Sequence, residues 1–259
     1  MPSQPFLDRL TLGAGLLLAW ELASRWFGAY WVTPPWATLE QLVVMIREGG
    51  LLRHTGYTLL AATLGFALGA VPGALLPLWM RRHPRLLRVL DPFLAAGYGL
   101  PKLALAPLFI LWFGIGAASK VALVTSVVFF IVFFSTMGGI REVDRRWLRM
   151  AQVMGATHAQ LSRRIVWPAV VPHVFAGIRI ATPYAIGGVI ISELVSSNRG
   201  LGYLVQLGAM SFSTPEIFAA VITITVVIGL ASWAASRLER RLLRWQPATD
   251  GSATDRGYR

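Results

Sequence analysis

Long apolar runs dominate the pattern of this chain. Six of them approach or exceed the ~20 residues that cross a bilayer core as a helix. They are Leu10–Trp26, Tyr57–Met80, Val89–Phe113, Ser119–Ile140, Ala169–Val195 and Glu216–Ser236. None alternates with period two, which argues against an outer-membrane barrel and for spanning helices. The first run carries Glu21 and has no small-residue cleavage site behind it, so it reads as a retained helix rather than a leader. In the polar stretch Thr33–His54, Pro34 and Pro35 prevent a span, and Trp36–Ile46 fits a short amphipathic helix at the interface. The expected organisation is a helix and external segment over 1–56, a membrane core over 57–240, and a polar, disordered cytoplasmic tail over 241–259. The chain carries no internal repeat and no low-complexity tract.

Composition narrows the class. Hydrophobic residues make up 55% and charged residues 14% of the 259 residues. Typical soluble domains carry about 25% charged residues, and so few could not cover a soluble surface. The apolar content also excludes intrinsic disorder. The absence of cysteine excludes disulfide scaffolds and thiolate-held zinc or iron–sulfur centres, and no cofactor is expected. A net charge of +12 and a pI near 11.3 would suggest nucleic acid on a soluble body. Here its distribution gives a different meaning. With the N-terminus in the cytoplasm, 17 of the 24 basic residues fall on cytoplasmic segments, five outside and two within spans. That bias predicts both termini inside. Trp26, Trp31, Trp36, Trp79, Trp112 and Trp245 lie near span ends, where indoles favour the membrane–water boundary.

One cytoplasmic segment carries more than topology. Residues 141–167 are too polar to span, yet Val143, Trp147, Met150, Ala151 and Met154 recur at helical spacing. Gly155 ends that helix. Thr157 and Gln160 then form a capping box that starts a second short helix, with Leu161 and Ile165 as its apolar side. Pro168 sits where the next span begins. The pattern is helix, Gly-Ala elbow, helix, Pro. An amphipathic linker lying on the membrane fits the pattern equally well.

Gly155, nine residues, Ile165, one residue, Trp167, Pro168 resembles the cytoplasmic signature of bacterial ABC-importer permeases. Leu100-Pro-Lys-Leu-Ala-Leu-Ala-Pro-Leu108, Leu111-Trp-Phe-Gly-Ile-Gly116, Pro168-Ala-Val-Val-Pro172, Gly177-Ile-Arg-Ile180, Glu193 and Gly200-Leu-Gly-Tyr-Leu204 complete a likeness running from about residue 50 to 240. The combination is similar to the nitrate/sulfonate/taurine-type subgroup, which also includes carriers of aromatic and vitamin-precursor molecules. The resemblance implies an all-α type I importer permease fold with six transmembrane helices, located in the bacterial inner membrane. Its implied partners are a second permease copy, two ATPase subunits docked on the elbow, and a periplasmic binding protein that delivers substrate. It also places the ATPase-coupling residues at Arg149, Met150, Ala151, Gly155, Ala156, Thr157, Leu161, Ile165 and Pro168. Two departures stand out: Arg149 replaces the signature's acid, and Trp167 its usual Leu. The chain lacks a G-x-x-x-x-G-K-[ST] phosphate loop, so ATP use is expected from a partner, in an alternating-access cycle.

Charges within spans are costly in hydrocarbon. Lys102, among Gly97, Gly99, Pro101 and Pro107, suggests a kinked helix whose cation either faces an anion pathway, pairs with Asp91 or snorkels. Arg179 and Glu193 share a span but stand fourteen residues apart, too far to pair with each other, and structural roles suit both better than the alternative of substrate contact in the pathway. Gly200–Leu204 reads as a re-entrant piece or as an ordinary turn, and Thr214-Pro215-Glu216 as a helix start. A membrane enzyme would need acid–base groups clustered at one depth. A stand-alone secondary transporter would more often show repeats. Neither feature is visible, and a nucleic-acid partner fails on hydropathy.

Overall fold

A computed structural model describes residues 4–48 and 50–245. Every regular element in it is helical. The main helices are α1 (Gln4–Phe27), α2 (Pro35–Arg47), α3 (Gly50–Met80), α4 (Pro84–Gly99), α5 (Ala106–Phe113), α6 (Ala117–Glu142), α7 (Arg145–Val153), α8 (His158–Leu161), α9 (Trp167–Val195), α10 (Leu201–Met210) and α11 (Thr214–Leu242). A 3-10 turn over Lys102–Leu105 precedes α5, and a π-helical stretch over Ser162–Val166 precedes α9.

Among the described residues, four helices are long and apolar enough to cross a membrane as continuous rods. These are α3, α6, α11 and the continuous helix Ala159–Val195, which contains α9. The expected single span Val89–Phe113 is instead bent by 79° between α4 and the Lys102–Phe113 helix. Pro101 removes a backbone donor there, and the residue before a proline avoids helical geometry; Leu100 has φ −63° and ψ 134°. The first run forms the 24-residue helix α1. It is long enough to span but less apolar than the other four, because Arg9, Glu21 and Arg25 interrupt it. Leu10, Leu12, Leu16, Leu17, Leu18 and Leu22 are all exposed around it. A helix exposing leucine on every side suits lipid, not water.

The core is the crossing of α3, α6 and α9. Gly65, Gly69 and Gly73 form a stripe along α3, one per helical turn, against the backbone of α6. A methyl group at Gly65 would fall 2.6 Å from Val124 Cβ, and one at Gly69 2.6 Å from the Thr125 carbonyl. Small residues at such spacing let helices meet closely in a medium that gives them little hydrophobic drive to associate. On the other side of α6, Gly177 of α9 lies against Ser135, whose Oγ donates to the His173 carbonyl at 2.6 Å. Val124, Val128, Val132, Ala181, Ala185 and Val189 fill the space between the rods. A second cluster of Met80, Phe133 and Met137 receives Leu87, Leu90 and Leu94 from α4. A third, Val166, Val170 and Val174, receives Val143 and Leu148. It anchors α7 beneath the rods.

At the opposite end, α1 and α2 meet α11. Trp20 Nε1 donates to the Thr33 carbonyl at 3.0 Å, and its ring stacks on Phe218 at 5.8 Å. The expected cap at Thr214 has a different partner. Ser213 is the N-cap and makes no side-chain cap bond, while Thr214 Oγ1 donates to the Tyr30 carbonyl at 2.6 Å. That bond ties the start of α11 to the loop after α1. Of the tail expected over 241–259, α11 includes the first two residues, and Gln246–Arg259 lie outside the described residues.

Candidate functional site

The elbow around Gly155 is built from two adjacent caps. Asp144 Oδ1 accepts from the Arg146 amide at 2.8 Å and starts α7. At its end Gly155 adopts φ +84°, the left-handed region that glycine enters without a Cβ clash. The Gly155 amide donates to the Gln152 carbonyl and the Ala156 amide to the Ala151 carbonyl, each at 2.9 Å. These are the paired bonds of a Schellman cap. Two residues later the capping box closes. The Thr157 amide donates to Gln160 Oε1 at 2.8 Å, and the Gln160 amide donates to Thr157 Oγ1 at 3.3 Å. A single residue, Ala156, lies between Gly155, which caps the end of one helix, and Thr157, which caps the start of the next.

The second arm of the elbow is not a separate short helix, contrary to the sequence pattern. It runs through the π-helical stretch into α9 as one helix, Ala159–Val195. Pro168 does not interrupt it. A widened turn leaves room for a proline ring and leaves fewer amides needing partners.

Ala151, Gly155, Ala156, Leu161, Arg164 and Ile165 are among the residues lining one hollow of about 410 Å3. Leu161 is buried and seats the arm. Trp147, Met150, Val153 and Met154 are all more than half exposed. The apolar stripe read from the sequence therefore divides: Val143 faces the rods, joined there by Leu148 from outside the stripe, while Trp147, Met150 and Met154 project into solvent. Arg149 is exposed, outside the hollow. Nearby, Arg81 Nη1 reaches Ser162 Oγ at 3.5 Å. Burial and the adjacent Arg82 lower the pKa of Arg81 from its ordinary value, and a guanidinium remains charged throughout.

At the far end of the same rods sits a buried ionic cluster. Glu193 of α9 is fully buried. Thr58 Oγ1 donates to its carboxylate, 2.9 Å from Oε2 and 3.1 Å from Oε1. The Gly202 amide donates to Oε2 at 3.0 Å, and Lys120 Nζ lies 3.5 Å from Oε1. Lys120 also donates to Ser197 Oγ at 2.7 Å. The Gly200 amide donates to His54 Nδ1 at 2.9 Å, and His54 stacks on Tyr203. Gly200–Leu204 is thus the start of α10, docked by its amide end onto a carboxylate, as the helix dipole favours. A Cβ on Gly200 would fall on the Glu193 carboxylate. Lys120, which ends an apolar run in the sequence and reads as external, is buried here because the Ser197–Gly200 loop folds over it.

The other intramembrane charges separate. Arg179 pairs with Glu239 of α11 at 3.6 Å. Asp91 pairs with Arg141 at 3.4 Å rather than with Lys102. Lys102 Nζ turns back on the break itself, donating to the Tyr98 carbonyl at 2.9 Å and the Leu100 carbonyl at 3.4 Å.

The family described as "Binding-protein-dependent transport system inner membrane component" matches residues 41–244. The chain belongs to it. This permease is 33% identical to the formylaminopyrimidine transport permease protein ThiX of Halalkalibacterium halodurans, over 89% of this chain and 92% of that one. It is 34% identical to the putative aliphatic sulfonates transport permease protein SsuC of Bacillus subtilis, over 80% of this chain and 75% of that one. It is 30% identical to the taurine transport system permease protein TauC of Escherichia coli, over 93% and 92%. An inward-facing structure of the MetNI methionine ABC transporter superposes with TM-score 0.60 at 19% identity, covering 77% of this chain and 95% of that one. An amino acid ABC transporter solved with histidines gives 0.62 at 18%, over 79% and 98%. At those identities the likeness concerns the fold, which is that of type I importer permeases. The permease is a membrane transport subunit, and ATP hydrolysis belongs to a partner ATPase.

Two structural features of the permease leave unequal traces in the sequence. The Gly65–Gly69–Gly73 stripe was legible as small residues four apart, a known helix-contact spacing. The joining of Lys120 to Glu193 left no local signal, because the two lie 73 residues apart.

Proposed function

We propose that this permease forms the translocation pathway of an ATP-driven importer for a small solute, in the nitrate/sulfonate/taurine class that the sequence resembles. A periplasmic binding protein delivers that solute to the face bearing α10, and the elbow at Gly155 couples the rods to the ATPase. The single observation that carries the coupling assignment is the doubly capped elbow, with its exposed apolar rim of Trp147, Met150, Val153 and Met154. A rim of that kind on a rigid knob suits a partner's groove better than solvent. Relatives named for sulfonates, taurine, formylaminopyrimidine and riboflavin support small anionic or heteroaromatic solutes as the class to test. The working assembly on this reading is two permease copies and two ATPase subunits, with both termini in the cytoplasm.

The experiment is reconstitution with the cognate ATPase and binding protein, with Gly155→Val as the variant. Gly155 has open space around it, so the substitution introduces no clash. It forces a β-branched residue into φ +84°, at a cost of about 1–2 kcal/mol, and so reshapes only the elbow. Expected is ATP hydrolysis that no longer drives uptake, with the variant still inserted in the membrane. Full uptake by the variant, or uptake in cells lacking every cognate ATPase, would reject the assignment. Screening taurine, an alkanesulfonate, a formylaminopyrimidine and riboflavin against the partner binding protein identifies the solute.

A further inference from the structure

The break in the α4–α5 span creates a cavity halfway through the membrane. Phe130 lies at the middle of α6 and Ile180 at the middle of α9, each about 20 Å from its helix ends. These two, with Tyr98, Lys102, Phe134 and Tyr184, line a cavity of about 660 Å3. Ligand pockets for small molecules are commonly of that size, mostly apolar with a few placed polar groups.

Lys102 is the charged group in it. Its ammonium stands 4.4 Å from the centroid of Phe130 and 5.5 Å from that of Tyr98. The two carbonyl bonds at the break take two of its three protons. Among the described residues no carboxylate lies within 4.0 Å of it. The other intramembrane charges described above all have opposite charges beside them. Gly97 packs α4 onto the Phe130 ring, where a Cβ would fall 2.6 Å from Cζ, so the ring holds both the break and the cation in place. Tyr98 and Tyr184 are half exposed toward the cavity. Non-helical backbone and a lone cation at this depth are tolerated where they line water, not lipid.

We propose that this cavity is a binding station for a small organic anion, in which an apolar body rests on Phe130, Phe134 and Ile180 and its oxyanion meets Lys102. The proposal rests on the reading of the chain as a pathway-forming permease and adds the station and its ligand chemistry. Tyr184 lines the same cavity and adds a phenol to its wall. An amine would meet the ammonium with like charge, so the station selects anions over cations.

The chain has no cysteine, which makes a thiol reporter clean. In the assembled transporter in nanodiscs, Ile180→Cys is labelled with two methanethiosulfonates, one carrying a sulfonate and one a trimethylammonium. Each rate is normalised to its rate with free 2-mercaptoethanol. The sulfonate reagent is expected to react about tenfold faster after normalisation, as a focused positive field predicts. Adding Lys102→Met should remove the preference, and Lys102→Arg should restore it. Benzenesulfonate should slow the labelling more than benzenesulfonamide does. Tyr184→Cys serves as a second reporter if the first variant does not assemble. A thiol inert to both reagents, equal rates, or a preference that survives Lys102→Met would overturn the proposal. The labelling needs no ATP hydrolysis, so a failed station and a failed elbow give separate results.

Discussion

Glu193 carries the most consequence of any single side chain. Its carboxylate is fully buried and accepts from a threonine hydroxyl and a backbone amide beside a lysine ammonium. A buried charge that loses its partner costs more than the pair contributed, typically about 3 kcal/mol or more. Glu193→Gln should therefore lower the melting temperature of the solubilised permease markedly. The double change Glu193→Gln with Lys120→Met should recover part of that loss, because no uncompensated ammonium remains. A thermal-shift series on the two variants and the parent checks this, and a double variant less stable than Glu193→Gln alone would refute it. Gly200→Ala belongs to the same site. At φ +115° its new methyl would meet the carboxylate, so it should destabilise the permease although it adds a single carbon. Lys120 shows where residue-level reading stops. Position along the chain places it at a membrane edge. Only the loop that returns 77 residues later gives it Ser197 and turns it inward.

Among the elements, local signals were largely sufficient. The capping box and the left-handed glycine each act within five residues, and both caps form as the sequence indicates, although the second arm runs on into α9. Four apolar runs became continuous rods, since hydropathy and length act locally too. The Val89–Phe113 run did not, although Pro101 marked the break. A proline inside a run does not reveal whether the helix bends or stops. Pro72 and Pro77 sit inside α3, and Pro172 and Pro183 inside α9, without ending either helix. The difference at Pro101 is partly local, since the Lys102 ammonium satisfies carbonyls two and four residues back, and partly tertiary, since the Phe130 ring of α6 packs against Gly97. Pairing of elements was less legible, because the glycine stripe specifies closeness but no partner. Gly69 lies within 2.6 Å, by its absent Cβ, of the α6 backbone, which cannot yield as a flexible side chain would. Gly69→Leu should cost about 1–3 kcal/mol or more and force α3 from α6. Expected is loss of monodisperse permease on size-exclusion chromatography, while the same change at Gly13, which faces open space, leaves the profile unaltered.

The whole molecule has two polar ends joined by four rods. Arg81, Ser162, α7 and the elbow gather at one end, and His54, Lys120, Glu193 and α10 at the other. The arrangement agrees with the distribution of charge along the chain, where the segments expected to be cytoplasmic carry a net +11 of the total +12. Single cysteines test the orientation. Val153→Cys should resist a membrane-impermeant maleimide in intact spheroplasts and react after lysis, whereas Ser211→Cys should react in both. The reverse pattern would invert the topology.

One of those rods has a mechanical consequence. From the capping box to the Glu193 cluster the backbone runs as a single helix, Ala159–Val195, with one soft place, the π-helical stretch close to its elbow end. Its 37 residues make a strut of about 55 Å. Past that stretch the helix runs on through Pro172 and Pro183 without a break, so a tilt imposed at the elbow would reach the far end as a sideways swing scaled by the length of the arm. At that far end the strut carries the carboxylate on which α10 is seated. A torque delivered on one face of the membrane would thus arrive at the opposite face at the seat of a helix, with no diffusing messenger between them.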